Sequence, residues 1–191
     1  MSSHAMTKSK FPPTDGMYEA AGPTSQISLL LCHGWQPDEI APWLEDELES
    51  DPAPLIEEVS EEYARLVPEA SEDAKRIGVL HEALAKRNIA FSFDEAYTKA
   101  EAVEDAGRHA EEAGHRGYAY CTQQDVDSLI HSGRLYFGFG DRENPSLERD
   151  AEVATLVVEA LNEVGFSPVW DGDPNARIEC TDVVFELPLN H

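Results

Sequence analysis

The chain has 191 residues, 41% of them hydrophobic, and carries 38 acidic against 14 basic side chains for a net charge of -24. That is enough apolar material for one sizeable core, while the charge argues against nucleic acid, whose phosphates demand a basic face, and against anionic membrane surfaces. Cys32, Cys121 and Cys180 are scattered and never in Cys-x-x-Cys spacing, so they indicate neither a disulfide framework nor a thiolate zinc site and read as small buried hydrophobes of a reducing cytosol.

No apolar run suits a signal peptide or a membrane span, so a soluble cytoplasmic protein is expected. Residues 1–23 hold Pro12, Pro13, Gly16, Gly22 and Pro23 with few apolar positions. Such a composition predicts a disordered tail, its first five residues resembling a tag remnant ahead of Met6. The run SQISLLLCHGW then predicts a short helix capped by Thr24 or Ser25, with Leu29 to Cys32 buried and Gly34 at its left-handed end. A second helix starts near Asp38, with Ile40, Trp43, Leu44 and Leu48 at helical spacing, and ends at Pro52 and Pro54. A third spans Leu55 to Val67 with Ile56, Val59, Tyr63 and Leu66 on one stripe.

These segments form an acidic helical lobe over residues 24–68. Between Lys10 and Arg65 there is no lysine or arginine, and Asp38 to Glu62 carries eleven carboxylates: Asp38, Glu39, Glu45, Asp46, Glu47, Glu49, Asp51, Glu57, Glu58, Glu61 and Glu62. A run of this kind reads as a solvated face or a high-salt adaptation, or as a docking surface for a basic partner protein.

The remainder, residues 69–191, reads as an α/β domain continuous with the lobe. Ser71 caps a helix with Glu72 and Asp73 in its first turn, Ile77, Leu80 and Leu84 on its stripe, and Asn88 beyond its end. Ile89 to Phe93 predicts a strand, and Asp94 to Ala113 a helix with a weak stripe of Tyr97, Ala100 and Val103 that closes at Gly114. Tyr118 to Cys121 is a strand, after which Thr122 and Asp125 form a capping box for a helix that ends at Gly133. Arg134 to Gly140 sets Leu135, Phe137 and Phe139 on one strand face. A long helix runs from Ser146 or Leu147 to Val164. Phe166 to Trp170 and Ala176 to Cys180 should pair as a hairpin through Asp171-Gly172-Asp173-Pro174-Asn175, and Val183 to Leu187 should add a last strand. The order argues an α/β (α+β) two-layer fold: a mixed sheet with helices mainly on one face and the acidic lobe in front.

The runs GYAYCTQQD, RLYFGFG and EALNEVGFSPVWDGDPNARIEC, preceded by RIGVLHEALAKRNIAF, resemble an uncharacterised bacterial family, domain of unknown function number 6891, common in actinobacteria. The resemblance covers about residues 71–184. Its members often carry a Cys-Cys-x-x-Cys cluster after the first strand. Phe91 to Ala96 has no cysteine, so a family metal role does not carry over. The resemblance implies the fold and assigns no activity.

Candidate site residues gather at two places. Cys121, Thr122, Gln123, Gln124 and Asp125 stand at a strand-to-helix junction, where free backbone N–H groups suit an anion or polar ligand; capping and packing account for Thr122, Asp125 and Cys121 equally well. Trp170, Asp171 and Asp173 stand in the hairpin turn. The series Asp171, Asp173, Asn175, Glu179 and Asp182 imitates a calcium loop but has Ala176 where glycine is strict and Pro174 inside the loop. No histidine spacing, nucleophile elbow or phosphate loop is present, so neither cofactor nor metal is indicated and an enzyme is disfavoured. Two functions follow. One is a non-enzymatic interaction or regulatory domain, inhibitor- or immunity-like, presenting acidic surface to a basic protein; the other is a small-molecule-binding protein or enzyme at Thr122 to Asp125 near the Trp170 hairpin.

Overall fold

A computed structural model describes residues 3–14, 22–45 and 50–190. In chain order its helices are α1 (Pro23–Cys32), α2 (Pro37–Glu45), α3 (Ala53–Leu66), α4 (Glu72–Ala85), α5 (Lys99–Ala113), α6 (Gln123–Ser132) and α7 (Leu147–Glu163). Strands β1 (Ile89–Phe93), β2 (Gly117–Cys121), β3 (Leu135–Asp141), β4 (Pro168–Val169) and β5 (Ile178–Cys180) form one sheet in the order β1-β2-β3-β5-β4. β1 and β2 are parallel through the α5 crossover, and every other pair is antiparallel, giving the mixed α+β sheet.

Alternation along the strands separates two faces. On one, Phe91, Ala119, Cys121, Leu135, Phe137 and Ile178 join a single buried cluster with Ile27 and Leu31 of α1, Val59 and Tyr63 of α3, Leu80 of α4, Leu129 of α6 and Val157 of α7. Six consecutive residues of α1, Ile27 to Cys32, are buried, so this helix is wrapped on all sides rather than laid on a surface. On the other face, among the described helices, α5 packs: Ala102 and Ala106 meet Ala96 and Tyr120, with Val103 and Tyr118 alongside. Alanine at one helical face brings the α5 backbone close to the sheet, which leaves room for the two tyrosine rings.

Several expectations are corrected. The first segment is ordered over residues 3–14: a 3-10 turn, Ala5–Lys8, carries Met6 with no exposed surface and His4 at 1%. His4 N donates to Ile130 O and Ala5 N to Glu186 Oε1. Burial of Met6 repays the ordering of this proline-rich segment, and His4 and Ala5 pack into the fold. α1 starts at Pro23, whose fixed φ suits the first helical position, rather than from a Thr24 or Ser25 cap. The expected Leu48 of the second helix lies outside the described residues, as do the side chains of Glu45, Asp46, Glu47 and Glu49.

Helix α5 begins at Lys99, five residues later than expected. Thr98 and Glu101 make a full capping box, and Asp94 sits at φ 63 with its N–H on Cys121 O, which no helix start could satisfy. Its buried stripe is Ala102, Ala106 and Ala110, with Ala100 exposed. The C-terminal run is not a strand. Val184 N donates to Asp73 Oδ2 and Glu186 N to Ser71 Oγ, while Ser71 N and Oγ donate to Glu186 O and Val184 O. The N-terminus of α4 thus satisfies the backbone groups that a neighbouring strand would have taken.

Candidate functional site

Thr122 and Asp125 form the expected capping box. Asp125 N donates to Thr122 Oγ1 at 3.2 Å, and Thr122 N and Oγ1 both donate to Asp125 Oδ2 at 2.7 Å. The same carboxylate carries a second load. Arg177, beside β5, donates Nη1 to Oδ1 at 2.7 Å and Nη2 to Oδ2 at 2.6 Å, a bidentate pair, and Nη2 also reaches Tyr136 O. The Arg177 guanidinium lies 5.5 Å from the centre of the Tyr120 ring. A residue 52 positions away therefore ties the α6 cap to the hairpin.

Around this node the other predicted residues are placed as follows. Cys121 is 1% exposed, and burial, reinforced by the Asp125 carboxylate, pushes its thiol well above the ordinary range, which removes thiolate reactivity. Gln123 is half-buried, with its N–H on Ala96 O, and Gln124 is exposed. In the hairpin, Trp170 stacks edge-on against Phe139 and donates Nε1 to Asp173 O. Asp173 N donates to Asp171 Oδ1, and Asp173 Oδ1 accepts from Asn175 N and Nδ2, which holds the Asp173 carboxyl below its usual range. The turn is closed by its own side chains. Among the described residues no group of three or more His, Cys, Asp or Glu is arranged to hold a metal.

Open space occurs near these residues, one strand away from the capping box. A cleft of about 420 Å³ is lined by Lys99 and Val103 of α5, Tyr118 and Tyr120 of β2, Gly138 and Phe139 of β3, Asp150 of α7, and Pro174 to Arg177 of the hairpin. It brings Arg177 and the end of the Trp170 hairpin turn together and leaves Thr122 to Asp125 behind, as the support of Arg177. A larger concavity, about 620 Å³, runs between α2 and α3. Its floor is Pro37, Ala41, Ala53, Ile56, Ser60, Ala64 and Leu189, and its rim is Asp38, Glu57 and Glu61, all exposed. Elsewhere some helical carboxylates pair with a base three residues on, as Glu62 does with Arg65 and Glu72 with Lys75. The three on the rim make no ion pair among the described residues.

One buried constellation is invisible to sequence reasoning. His33, at the end of α1, has almost no contact with solvent and lies between two carboxylates: Nδ1 is 2.7 Å from Asp94 Oδ2 and Nε2 is 2.8 Å from Asp127 Oδ1. Burial pulls its pKa down, but the bonds to Asp127 and Asp94 outweigh it and push the value up to about 9, so the ring is an imidazolium. Burial in turn raises Asp94, and the nearby Asp127 carboxylate, which shares the same cation, adds to the rise. With both ring nitrogens occupied, His33 is a clamp joining α1, the end of β1 and α6 rather than a free base. A lone histidine in the run CHGW carries no signal of such partners.

No helix of the described residues is long and apolar enough to cross a membrane. Neither a curated protein nor a solved structure matches the chain. A family model does, over residues 33–186, from the His33 clamp through the cleft and hairpin to the segment that seals α4. Spanning most of the chain, that match shows that the protein belongs to the family described as a domain of unknown function (DUF6891).

Proposed function

We propose that the domain is a non-enzymatic cytoplasmic interaction module, inhibitor- or immunity-like, whose α2–α3 surface docks a basic segment of a partner protein. The carrying observation is the unneutralised rim: Asp38, Glu57 and Glu61 surround an apolar groove that has no base on its lining. Where a base stands one turn away, carboxylates of this protein pair with it, as Glu62 and Glu72 do, whereas the lining of the groove offers its rim none. An apolar floor with an acidic rim instead complements an amphipathic segment that inserts one or two apolar side chains and sets lysines or arginines on the rim. The Ser60 hydroxyl, buried at the floor without a hydrogen-bond partner, is a further group that an occupant could satisfy.

The test uses an amphipathic lysine–leucine helical peptide and amide chemical shifts. Saturable shifts should map to α2 and α3, weaken steeply with added salt, and vanish in Glu57→Lys/Glu61→Lys. Shifts spread evenly over every acidic helix, or binding indifferent to that double charge reversal, would refute the reading.

A further inference from the structure

The cleft over β2 and β3 differs in charge balance and chemistry from the rest of this acidic molecule. Its lining holds two cations, Lys99 and Arg177, against one carboxylate, Asp150. We propose that it is a binding site for a small monoanion with a flat apolar body, of the aryl carboxylate class. The proposal shares no residue with the α2–α3 groove and stands independently of the docking function.

Three observations carry it. First, the walls are aromatic and built in. Tyr118 and Tyr120 stack at 6.4 Å between ring centres with a 27° interplanar angle, and Val103 beside them extends an apolar surface suited to a planar ring. The volume of about 420 Å³ holds a one- or two-ring compound.

Second, some of the polar groups facing it keep free hydrogen-bonding capacity. Tyr120 is only 2% exposed, yet neither its hydroxyl nor that of Tyr118 makes a hydrogen bond to another described residue. Arg177 spends three N–H groups on Asp125 and Tyr136, while its buried Nε has no acceptor. A buried donor is seldom left unsatisfied in a finished fold, and the Arg177 Nε beside two tyrosine hydroxyls is what an incoming acceptor would complete.

Third, the cation is fixed in place. The bidentate pair to the α6 capping-box carboxylate sets the guanidinium over Tyr120, so the site needs little reorganisation. Asp150, whose Oδ1 accepts from Asp141 N, bounds the lining as a carboxylate and would repel a second negative charge. A monocarboxylate satisfies both signs; a phosphate dianion does not.

Benzoate, its uncharged isostere benzamide, and inorganic phosphate are the probes, followed by amide chemical shifts of the whole domain. Benzoate should move Tyr118, Tyr120, Gly138, Ala176 and Arg177 saturably, with benzamide and phosphate at least about tenfold weaker, the loss expected for one charge-assisted bond. Tyr120→Phe and Lys99→Gln should each weaken benzoate several-fold. Val103→Trp, which fills the cleft from a half-buried helix position, should abolish binding while leaving the remaining spectrum intact. Equal binding of benzamide, phosphate shifts at the same residues, or benzoate binding that survives Val103→Trp would each overturn the assignment. Lys99 is exposed, so Lys99→Gln keeps the test readable if a buried substitution unfolds the protein.

Discussion

The ring of Tyr120 lies across Gly138, its direct cross-strand neighbour, and fills the space where any Cβ at that position would stand. Tyr118 repeats the arrangement over Gly140. The alternation Phe-Gly-Phe-Gly of β3 is thereby explained: phenylalanines face the main core, while glycines admit two tyrosine rings on the opposite face. A small residue under each ring is the condition for the cleft wall.

Gly138→Ala should therefore destabilise the domain by about 1–3 kcal/mol through overpacking, although alanine suits a strand backbone no worse than glycine. Urea unfolding measures the loss. The double variant Gly138→Ala/Tyr120→Ala should cost less than the sum of the two single changes, since the collision is with the ring itself.

Stability should fall in alkali through His33. Its pKa is raised in the folded protein from about 6.5 to about 9, so its contribution is complete below about 6.5 and is lost as pH rises through about 9. A tenfold difference in proton affinity is worth about 1.4 kcal/mol, so the loss is about 3–4 kcal/mol. Urea midpoints between pH 6 and pH 10 should show the decline. His33→Gln should lower stability at pH 6 and flatten the slope, because Asp94 and Asp127 then face each other without a cation.

Thr122→Ala removes one side of a capping box and should cost about 1 kcal/mol. Asp125→Ala removes the other side and strands Arg177 as well, at about 2–4 kcal/mol. That is less than for a fully buried ion pair, because the Arg177 side chain is 30% exposed. A double-mutant cycle of Asp125→Ala with Arg177→Met should show a coupling well above that of Asp125→Ala with Thr98→Ala, a cap on a different helix.

The N-terminal turn should matter as much as a core helix. Met6→Ala, at a side chain with no exposed surface, should cost about 2–5 kcal/mol, and a chain lacking residues 1–8 should unfold at lower urea than the full one. A truncated chain as stable as the intact one would remove the N-terminal turn from the fold's energetics.

Much of the fold is local, and the local part is legible in the sequence. The Ser71 cap, the Thr122–Asp125 box and the glycines at 133 and 165 act within one helical turn, so a few residues of sequence specify them. β1 runs over the expected residues because its alternation is bounded by turn residues on both sides. Even so, the Thr98–Glu101 box, equally local, is masked by the longer helical pattern that begins at Asp94.

By itself, then, the sequence determined most of the caps, the helical and strand segments and the acidity of the α2–α3 region, all of which depend on neighbours a few positions apart. Tertiary structure alone decided the rest. Sheet order set Tyr118 and Tyr120 over Gly140 and Gly138. Chain closure brought Arg177 to Asp125 and placed His33 between Asp94 and Asp127 from three separate elements. It also buried Met6 and turned the last apolar run against Ser71 and Asp73 instead of a strand. Contacts of that kind arise from register and packing between distant segments, and no spacing within a single segment encodes them.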